Sequence, residues 1–210
     1  RPLLEQVCVP SGWPNSAEWG CDIERLQQYP PSYWPYLLRG WLLRCGVSAP
    51  SQDWLQTAIA EVIQAQADAQ PQLPIGEWQL NRHQGQLLLF KTVPTELNVP
   101  SLELDVSSAR DKEWSLAWAG GTICVQSSQY GLAAGQYRIL PASLVRQQSI
   151  QARGRPNKTV KALLQEAGIP VALRAQWPAL VQDDRLCALV GIVCSEQDSC
   201  ENGVSLLWLK

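Results

Sequence analysis

The hydrophobic residues of the first third of the chain recur at helical spacing, and this period limits what the segment can form. Over residues 35–46, Pro35 suits a first helical turn and Gly46 suits the position after the last turn. The spacing resumes over 51–63, where Ser51 is the expected N-cap. Two antiparallel helices are therefore predicted.

The period then becomes strand-like. Residues 78–82 alternate between apolar and polar side chains, and the chain returns as 86–90 after a Gln84-Gly85 turn, which predicts a β-hairpin. The residues before the first helix, rich in Pro, Gly and Trp, are predicted to form a loop. Residues 1–93 are thus expected to form a small helical domain with a β-hairpin.

Residues 94–210 are expected to form a second, mixed α/β domain. The predicted linker is 92–101, which has two prolines and little apolar periodicity. The predicted elements that follow are a hairpin over 114–125, a helix over 158–167 capped by Asn157, a short helical turn at Leu173 and Arg174, a strand over 186–193 after an Asp183-Asp184 turn, and a strand over 204–208. The predicted fold class of the whole chain is α+β.

Positive charge is concentrated in residues 138–174. This stretch has seven basic residues and one acid, Glu166, which gives a local charge of +6 in a chain whose formal net charge is −2. The basic residues are Arg138, Arg146, Arg153, Arg155, Lys158, Lys161 and Arg174. Such asymmetry favours phosphate binding at one place, although a solvated helix face would also carry surface cations.

Composition excludes several classes of protein. The seven cysteines are irregularly spaced and form no C-x-x-C pair, a pattern typical of reduced thiols in the cytoplasm. A zinc site is not predicted, because the single histidine, His83, lies far from the Cys187–Cys200 group. No apolar run approaches the roughly 20 residues that cross a bilayer. The N-terminus lacks an initiator Met and a signal-peptide core, which indicates an excerpt from a longer chain.

An independent enzyme is the least expected class, because no nucleophile and base or metal-ligand set stands at useful spacing. Beside its turn, His83 is expected to be an exposed polar residue. The glycines at 120–121 and 131–135 lack the strand, loop and helix context of a phosphate cradle. Trp41 and Trp54 lie on helix faces and are expected in the core.

Several motifs together resemble a known family. They are the basic helix and Ile-Pro of 158–170, then Leu173-Arg174, Trp177-Pro178 and the closing Glu-Asn-Gly-Val-Ser of 201–205, preceded by Leu-Leu-Arg-Gly-Trp-Leu at 37–42, Ala-Asp-Ala-Gln-Pro at 67–71 and Arg82 before a hydrophobic strand. With this order over most of 33–210, the chain resembles the C-terminal part of bacterial tRNA(Ile)-lysidine synthetases. It departs from the family at Asn81, where a second arginine is common, and at Val171-Ala172.

The resemblance implies a function in tRNA recognition. In that family an N-terminal domain uses a Ser-Gly-Gly-x-Asp-Ser loop, ATP and magnesium to adenylate carbon 2 of the wobble cytosine, and lysine then displaces AMP. That loop is absent from this sequence, so the chain alone is expected to be inactive and to hold no cofactor. The resemblance places the first domain near the anticodon stem and the second on the acceptor stem.

The expected partners are tRNA and the catalytic domain, whose surface Trp13 and Trp19 could cover; a homodimer is left open. No DNA or membrane partner is expected, and the expected location is cytoplasmic. No catalytic or metal-binding residue is predicted. The predicted tRNA-binding residues are Arg82, Arg153, Arg155, Lys158, Lys161 and Arg174.

The sequence leaves three alternatives open. Arg174 could instead form a structural ion pair with Glu166. A structural pair with Glu77 competes with the functional role of Arg82, which the sequence favours. The whole chain could also be a protein-interaction scaffold whose basic stretch docks an acidic partner, and salt-dependent preference for tRNA over an acidic protein would separate the two functions.

Overall fold

The computed structural model describes residues 2–48, 50–66, 69–92, 101–106 and 114–210. The chain divides into two compact units, Arg1–Thr95 and Glu96–Lys210. The boundary predicted between residues 93 and 94, and most of the predicted linker, fall outside the described residues. Both units combine helices with antiparallel sheets, which confirms the predicted α+β class.

The first unit packs short helices against a five-stranded antiparallel sheet. Its helices are α1 (Pro2–Val7), α2 (Ile23–Gln27), α3 (Trp34–Arg44) and α4 (Gln52–Ala58), with a 3₁₀ turn at Pro31–Tyr33 and a π-helical turn at Ile59–Ile63. Its strands are β1 (Cys8–Pro10), β2 (Trp19–Asp22), β3 (Gln72–Ile75), β4 (Trp78–His83) and β5 (Gln86–Lys91), in the order β1-β2-β5-β4-β3. The prediction of an N-terminal loop was therefore wrong in part, because α1, β1 and β2 lie there.

The two predicted helices of this unit are confirmed, with the predicted residues at both ends of the first and at the start of the second. Pro35 lies in the first turn of α3, and Gly46 follows its end with φ +75°, a conformation that costs glycine little. The hydroxyl of Ser51 accepts a hydrogen bond from the Trp54 backbone N–H at 3.2 Å and so caps α4. Helix α4 continues into the π-helical turn, which places Val62 and Ile63 in the core.

The predicted hairpin is also confirmed. Strands β4 and β5 pair through a turn in which Gln84 and Gly85 both have positive φ, the geometry of the tight hairpin turns that match strand twist. Leu80, on β4, is buried with Leu87 and Leu89 against the helices. The core prediction for Trp41 is confirmed, since the residue is completely buried.

Trp54 is only half-buried, and its indole N–H donates to the Pro74 carbonyl at 2.9 Å. The prediction for His83 needs a similar correction. Its ring is half-buried and meets Trp13 edge-on at 5.5 Å between centroids. Trp54 is partly covered because strand β3, which contains Pro74, lies beside it. His83 is partly covered because the segment between β1 and β2, which contains Trp13, lies beside the hairpin.

In its described residues, the second unit contains antiparallel sheets of five and four strands, a separate two-stranded pair and two short helices. Its strands are β6 (Leu102–Asp105), β7 (Trp114–Trp118), β8 (Gly121–Leu132), β9 (Gln136–Pro141), β10 (Ser149–Ile150), β11 (Lys158–Thr159), β12 (Pro178–Gln182), β13 (Arg185–Leu189), β14 (Val193–Cys194), β15 (Ser199–Glu201) and β16 (Val204–Leu209), and its helices are α5 (Val160–Glu166) and α6 (Val171–Arg174). One sheet has the order β14-β13-β12-β9-β6. In the other, β7, β15 and β16 all pair with β8, while β10 and β11 pair separately.

Most predicted elements of this unit are confirmed, with one strand divided. The hairpin over 114–125 is β7 and the start of β8, and the last strand is β16. The predicted strand 186–193 is instead two strands, β13 and β14, which pair antiparallel. The chain reverses between them at Gly191, whose φ is +70°. A continuous apolar run does not show such a reversal, because both strands and the turn are apolar.

A second correction concerns the cap of α5. The hydroxyl of Thr159 accepts from the Ala162 N–H at 3.3 Å, so the helix begins at Val160 and not at Lys158. Asn157, the predicted cap, donates its side-chain amide to the Ser149 hydroxyl at 2.9 Å. Lys158 therefore belongs to β11, and its predicted place at the start of the helix was wrong.

Three indoles form a connected group inside the second unit. Trp177 and Trp208 are both 5% exposed and meet edge-to-face, with ring centroids 5.0 Å apart. The indole N–H of Trp208 donates to the Trp118 carbonyl at 3.1 Å, and the N–H of Trp118 donates to the Gln176 carbonyl at 2.9 Å. These bonds satisfy the polar edge of rings whose bodies fill the core.

Among the described residues, no helix combines the length and apolar character that crossing a membrane requires.

Candidate nucleic-acid interface

Three cations of the basic stretch line one surface pocket in the second unit. Arg146 comes from the turns after β9, Lys161 from the first turn of α5 and Arg174 from the end of α6. The pocket, called here the α5–α6 pocket, has a volume of about 250 Å³. Its lining residues are Ala142, Ser143, Arg146, Val160, Lys161, Leu164, Val171, Arg174 and Ala175. Among these described lining residues none is acidic, so the pocket is suited to an anion.

The amphipathic pattern of the two helices directs these cations toward the pocket. Val160 and Leu164 are buried on the inner side of α5, which leaves Lys161 exposed. Leu173 is completely buried and anchors α6 beside Arg174. Burial of these apolar side chains therefore fixes the helix faces that carry Lys161 and Arg174 beside the pocket, whose lining is partly apolar.

Arg174 is held more firmly than the other two cations. Its Nε–H donates to the Ile169 carbonyl at 2.9 Å, and the residue is half-buried. Burial lowers the pKa of the Arg174 guanidinium, which nevertheless stays charged at neutral pH. Within the described part of the chain, no carboxylate lies within ion-pair distance of Arg174. A bound anion would supply a charge partner that Arg174 does not have among the described residues.

Glu166 does not pair with Arg174, so that alternative prediction was wrong. The Glu166 carboxylate instead accepts from Lys158 Nζ at 2.5 Å. Both side chains line a neighbouring cavity of about 320 Å³, together with Arg155. The ion pair cancels one positive charge there, so this β10–α5 pocket has a weaker net positive charge than the α5–α6 pocket.

Arg153 takes a separate position. Its guanidinium carbon lies 5.2 Å from the ring centroid of Tyr130, on strand β8. Tyr130 is 41% exposed, and its hydroxyl shares a 3.0 Å hydrogen bond with Ser199. The stacked pair forms a flat, positively charged surface patch that could contact a nucleobase or a phosphate. Arg138, another cation of the stretch, is ion-paired with Asp184.

Arg82 lies in the first unit and makes contacts of a structural kind. Its Nη1 donates to the carbonyls of Ala65 at 2.6 Å, Ile63 at 3.2 Å and Val62 at 3.4 Å. These carbonyls lie at the C-terminal end of the π-helical turn that continues α4, where backbone acceptors have no partner within the helix. No ion pair with Glu77 is found in the described structure. The contacts favour a structural role for Arg82, and its contact with tRNA stays a prediction.

Of the six residues predicted to bind tRNA, the structure brings together Lys161 and Arg174. Arg155 and Lys158 line the neighbouring pocket, while Arg153 lies on Tyr130. Arg146 belongs to the basic stretch but was not among the six predicted residues. The charge run was the available signal, since no regular pattern around residue 146 indicates which way its side chain points.

The two tryptophans expected to cover another domain have partners within the first unit. Trp13 meets His83, and the guanidinium of Arg44 lies 3.9 Å from the ring centroid of Trp19. Both indoles are half-buried. Over the described ranges, no group of three or more His, Cys, Asp or Glu side chains is placed to hold a metal ion.

The fold and the pocket define the class of this chain. It is a two-unit α+β protein whose second unit has a cationic pocket with no carboxylate among its described lining residues. A family model matches part of each unit. The model for the TilS substrate binding domain matches residues 22–88, and the model for the TilS substrate C-terminal domain matches residues 145–208. Together they cover more than half of the chain, and the second match contains all three cations of the α5–α6 pocket.

Curated relatives agree with these matches. The chain is 32% identical to the tRNA(Ile)-lysidine synthase of Serratia proteamaculans (strain 568), over 80% of the chain and 38% of the relative. It is 26% identical to that of Enterobacter sp. (strain 638), over 92% of the chain and 44% of the relative. It is 28% identical to that of Vibrio atlanticus (strain LGP32), over 90% of the chain and 43% of the relative.

The chain belongs to the tRNA(Ile)-lysidine synthase family. It spans about two fifths of the length of the curated relatives it matches.

Proposed function

We propose that this chain is the tRNA-recognition part of a tRNA(Ile)-lysidine synthase, an enzyme that uses ATP to attach lysine to carbon 2 of the wobble cytidine in the minor isoleucine tRNA. The observation that carries the proposal is the convergence of Arg146, Lys161 and Arg174 within the segment matched by the C-terminal domain model. Family membership indicates that the polyanion is tRNA, and the pocket is the proposed position at which a tRNA phosphate would bind.

The chemistry of an RNA stem suits this surface. An A-form helix exposes its phosphates and 2′-hydroxyls, and proteins bind it mainly by shape and by backbone contacts. Cations on rigid elements serve that purpose, because their side chains lose little freedom on binding. Arg174, fixed by its bond to the Ile169 carbonyl, is such a cation, while Lys161 projects from a helix anchored by buried leucines.

The second unit would then contact the acceptor stem and the first unit the anticodon stem, as the family resemblance implies. Arg153 and Arg155 would extend the phosphate contacts, and Lys158 would join them if the polyanion displaced its ion pair with Glu166. The sequence lacks the Ser-Gly-Gly-x-Asp-Ser loop. ATP and magnesium would therefore act in another part of the full enzyme, and this chain alone would neither consume ATP nor modify tRNA.

The test is the salt dependence of tRNA binding to the 210-residue chain. Each phosphate contact contributes about 0.7–0.9 to the slope of log affinity against log salt concentration. Replacing Arg146 and Lys161 by glutamine should lower the slope by that amount for each lost contact and weaken binding to different tRNA sequences equally.

The matched control replaces Arg25 and Arg138 by glutamine, since both are ion-paired and neither lines the α5–α6 pocket. This variant removes the same number of charges and should keep the slope. An equal fall of the slope in both variants would mean that only total charge matters. Stronger binding to an acidic protein than to tRNA would instead support the scaffold function.

A further inference from the structure

We propose that the α5–α6 pocket binds the 5′-terminal phosphate of the tRNA, a phosphomonoester, and not a phosphodiester of the backbone. The proposal rests on the function proposed above and specifies which phosphate the pocket accepts. Arg146, Lys161 and Arg174 together would recognise an RNA end.

The charge balance of the pocket favours a phosphomonoester. A phosphodiester carries one negative charge, whereas a phosphomonoester carries about 1.5 to 2 at neutral pH. The pocket presents three cations, and none of its described lining residues is acidic. In the neighbouring β10–α5 pocket, by contrast, Glu166 neutralises Lys158, so that Arg155 supplies the net positive charge of the described lining residues. The larger charge excess matches the anion of higher charge.

The shape of the pocket favours the end of an RNA chain. The three cations come from separate segments, so they approach a bound group from different sides of a concave pocket. A backbone phosphate has a nucleoside on both sides, so a site that binds it must leave room for both nucleosides. A chain end has a nucleoside on one side only and can enter head-on, with its ribose against the apolar side chains of Val160 and Val171.

The fixed position of Arg174 also favours an anion of high charge. Because its Nε already binds the Ile169 carbonyl, the guanidinium is oriented before any ligand arrives. A half-buried guanidinium has also lost part of its hydration, and an anion of high charge compensates for that loss best. In a mature tRNA the phosphomonoester is at the 5′ end, which makes that end the ligand of suitable chemistry.

The experiment compares one tRNA in two forms, with a 5′ monophosphate and, after phosphatase treatment, with a 5′ hydroxyl. Binding of each form to the 210-residue chain is measured at fixed salt. We expect the hydroxyl form to bind about tenfold more weakly, the effect of losing one charge-assisted contact. The Arg146→Gln, Lys161→Gln double variant should bind the two forms with nearly equal affinity.

The Arg25→Gln, Arg138→Gln control should keep the tenfold preference, because its substitutions lie outside the pocket. Equal binding of both forms by the unmodified chain would overturn the inference. If the pocket variant then weakened both forms alike, the pocket would bind backbone phosphates and the proposed function would stand. Absence of salt-dependent binding to either form would overturn both the inference and the proposed function.

Discussion

The substitution Arg82→Ala separates a structural from a functional role of this arginine. Its three hydrogen bonds hold the carbonyls of Val62, Ile63 and Ala65 at the end of a helix. Bonds from a charged donor contribute about 1.5–3 kcal/mol each. Arg82 is half-buried and the bond to Val62 is long, so two bonds at the low end of this range give about 3 kcal/mol.

A loss of that size should be easy to measure. For a unit of this size, 1 kcal/mol corresponds to about 4–8 °C in melting temperature, so the transition of the first unit should fall by about 12 °C or more. Circular dichroism follows the melting, and hydrogen exchange of the amides in 59–66 assigns the loss to the helix end. Affinity for tRNA, measured well below the transition, should change little.

The matched control is Lys91→Ala, which removes a cation from the adjacent strand β5. The Lys91 ammonium lies 5.5 Å from the Trp78 ring centroid and makes no hydrogen bond to a helix end within the described structure. It should lower stability by less than about 1 kcal/mol. If Arg82→Ala kept its melting temperature and lost tRNA affinity, the structural reasoning would be refuted and Arg82 would be an RNA contact.

Three further predictions concern the second unit. Burial alone would raise the pKa of the Asp198 carboxyl. Hydrogen bonds from Arg185 and Ser195 lower this pKa by more than burial raises it, so the net pKa is depressed. The pair therefore stabilises the fold above the unfolded pKa of about 4 and loses this effect as the pH falls through the folded value. Asp198→Asn should cost about 1–3 kcal/mol at neutral pH in urea unfolding, and a difference that did not shrink in acid would contradict this. Gly131→Ala should destabilise by about 1–3 kcal/mol, because its Cβ would lie 2.3 Å from the Val204 backbone carbonyl oxygen; unchanged urea unfolding would show that the strands can separate there. Thr159→Ala should cost about 1 kcal/mol as a lost helix cap and Asn157→Ala less, and the reverse order of the melting temperatures would restore the predicted cap.

The elements that the sequence predicted well have local causes. Helix α3 follows from its apolar spacing between Pro35 and Gly46, and the β4–β5 hairpin follows from alternation around the Gln84-Gly85 turn. Each signal lies within a few residues of the structure that it specifies. Strands β1 and β2 were missed because they are short and join the sheet only through the pairing of β2 with β5, which lies far along the chain.

The site was only partly predictable for the same reason. The basic stretch identified the region, but the convergence of Arg146 with Lys161 and Arg174 depends on how α5, α6 and the turns after β9 pack together. The contacts of Arg82 depend on carbonyls that lie 17 to 20 positions earlier in the chain. Charge shows which residues are available, whereas packing decides which of them meet.

The indole group of the second unit gives that unit an intrinsic spectroscopic probe. Closely packed, tilted rings such as Trp177 and Trp208 couple their electronic transitions, so they should produce a strong near-ultraviolet circular dichroism signal that depends on their fixed angle. The α5–α6 pocket has no tryptophan among its lining residues in the described structure. A ligand without near-ultraviolet absorption, such as inorganic phosphate, would then leave this signal unchanged unless it altered the core packing, so rearrangement of the second unit on anion binding could be followed in an unlabelled protein.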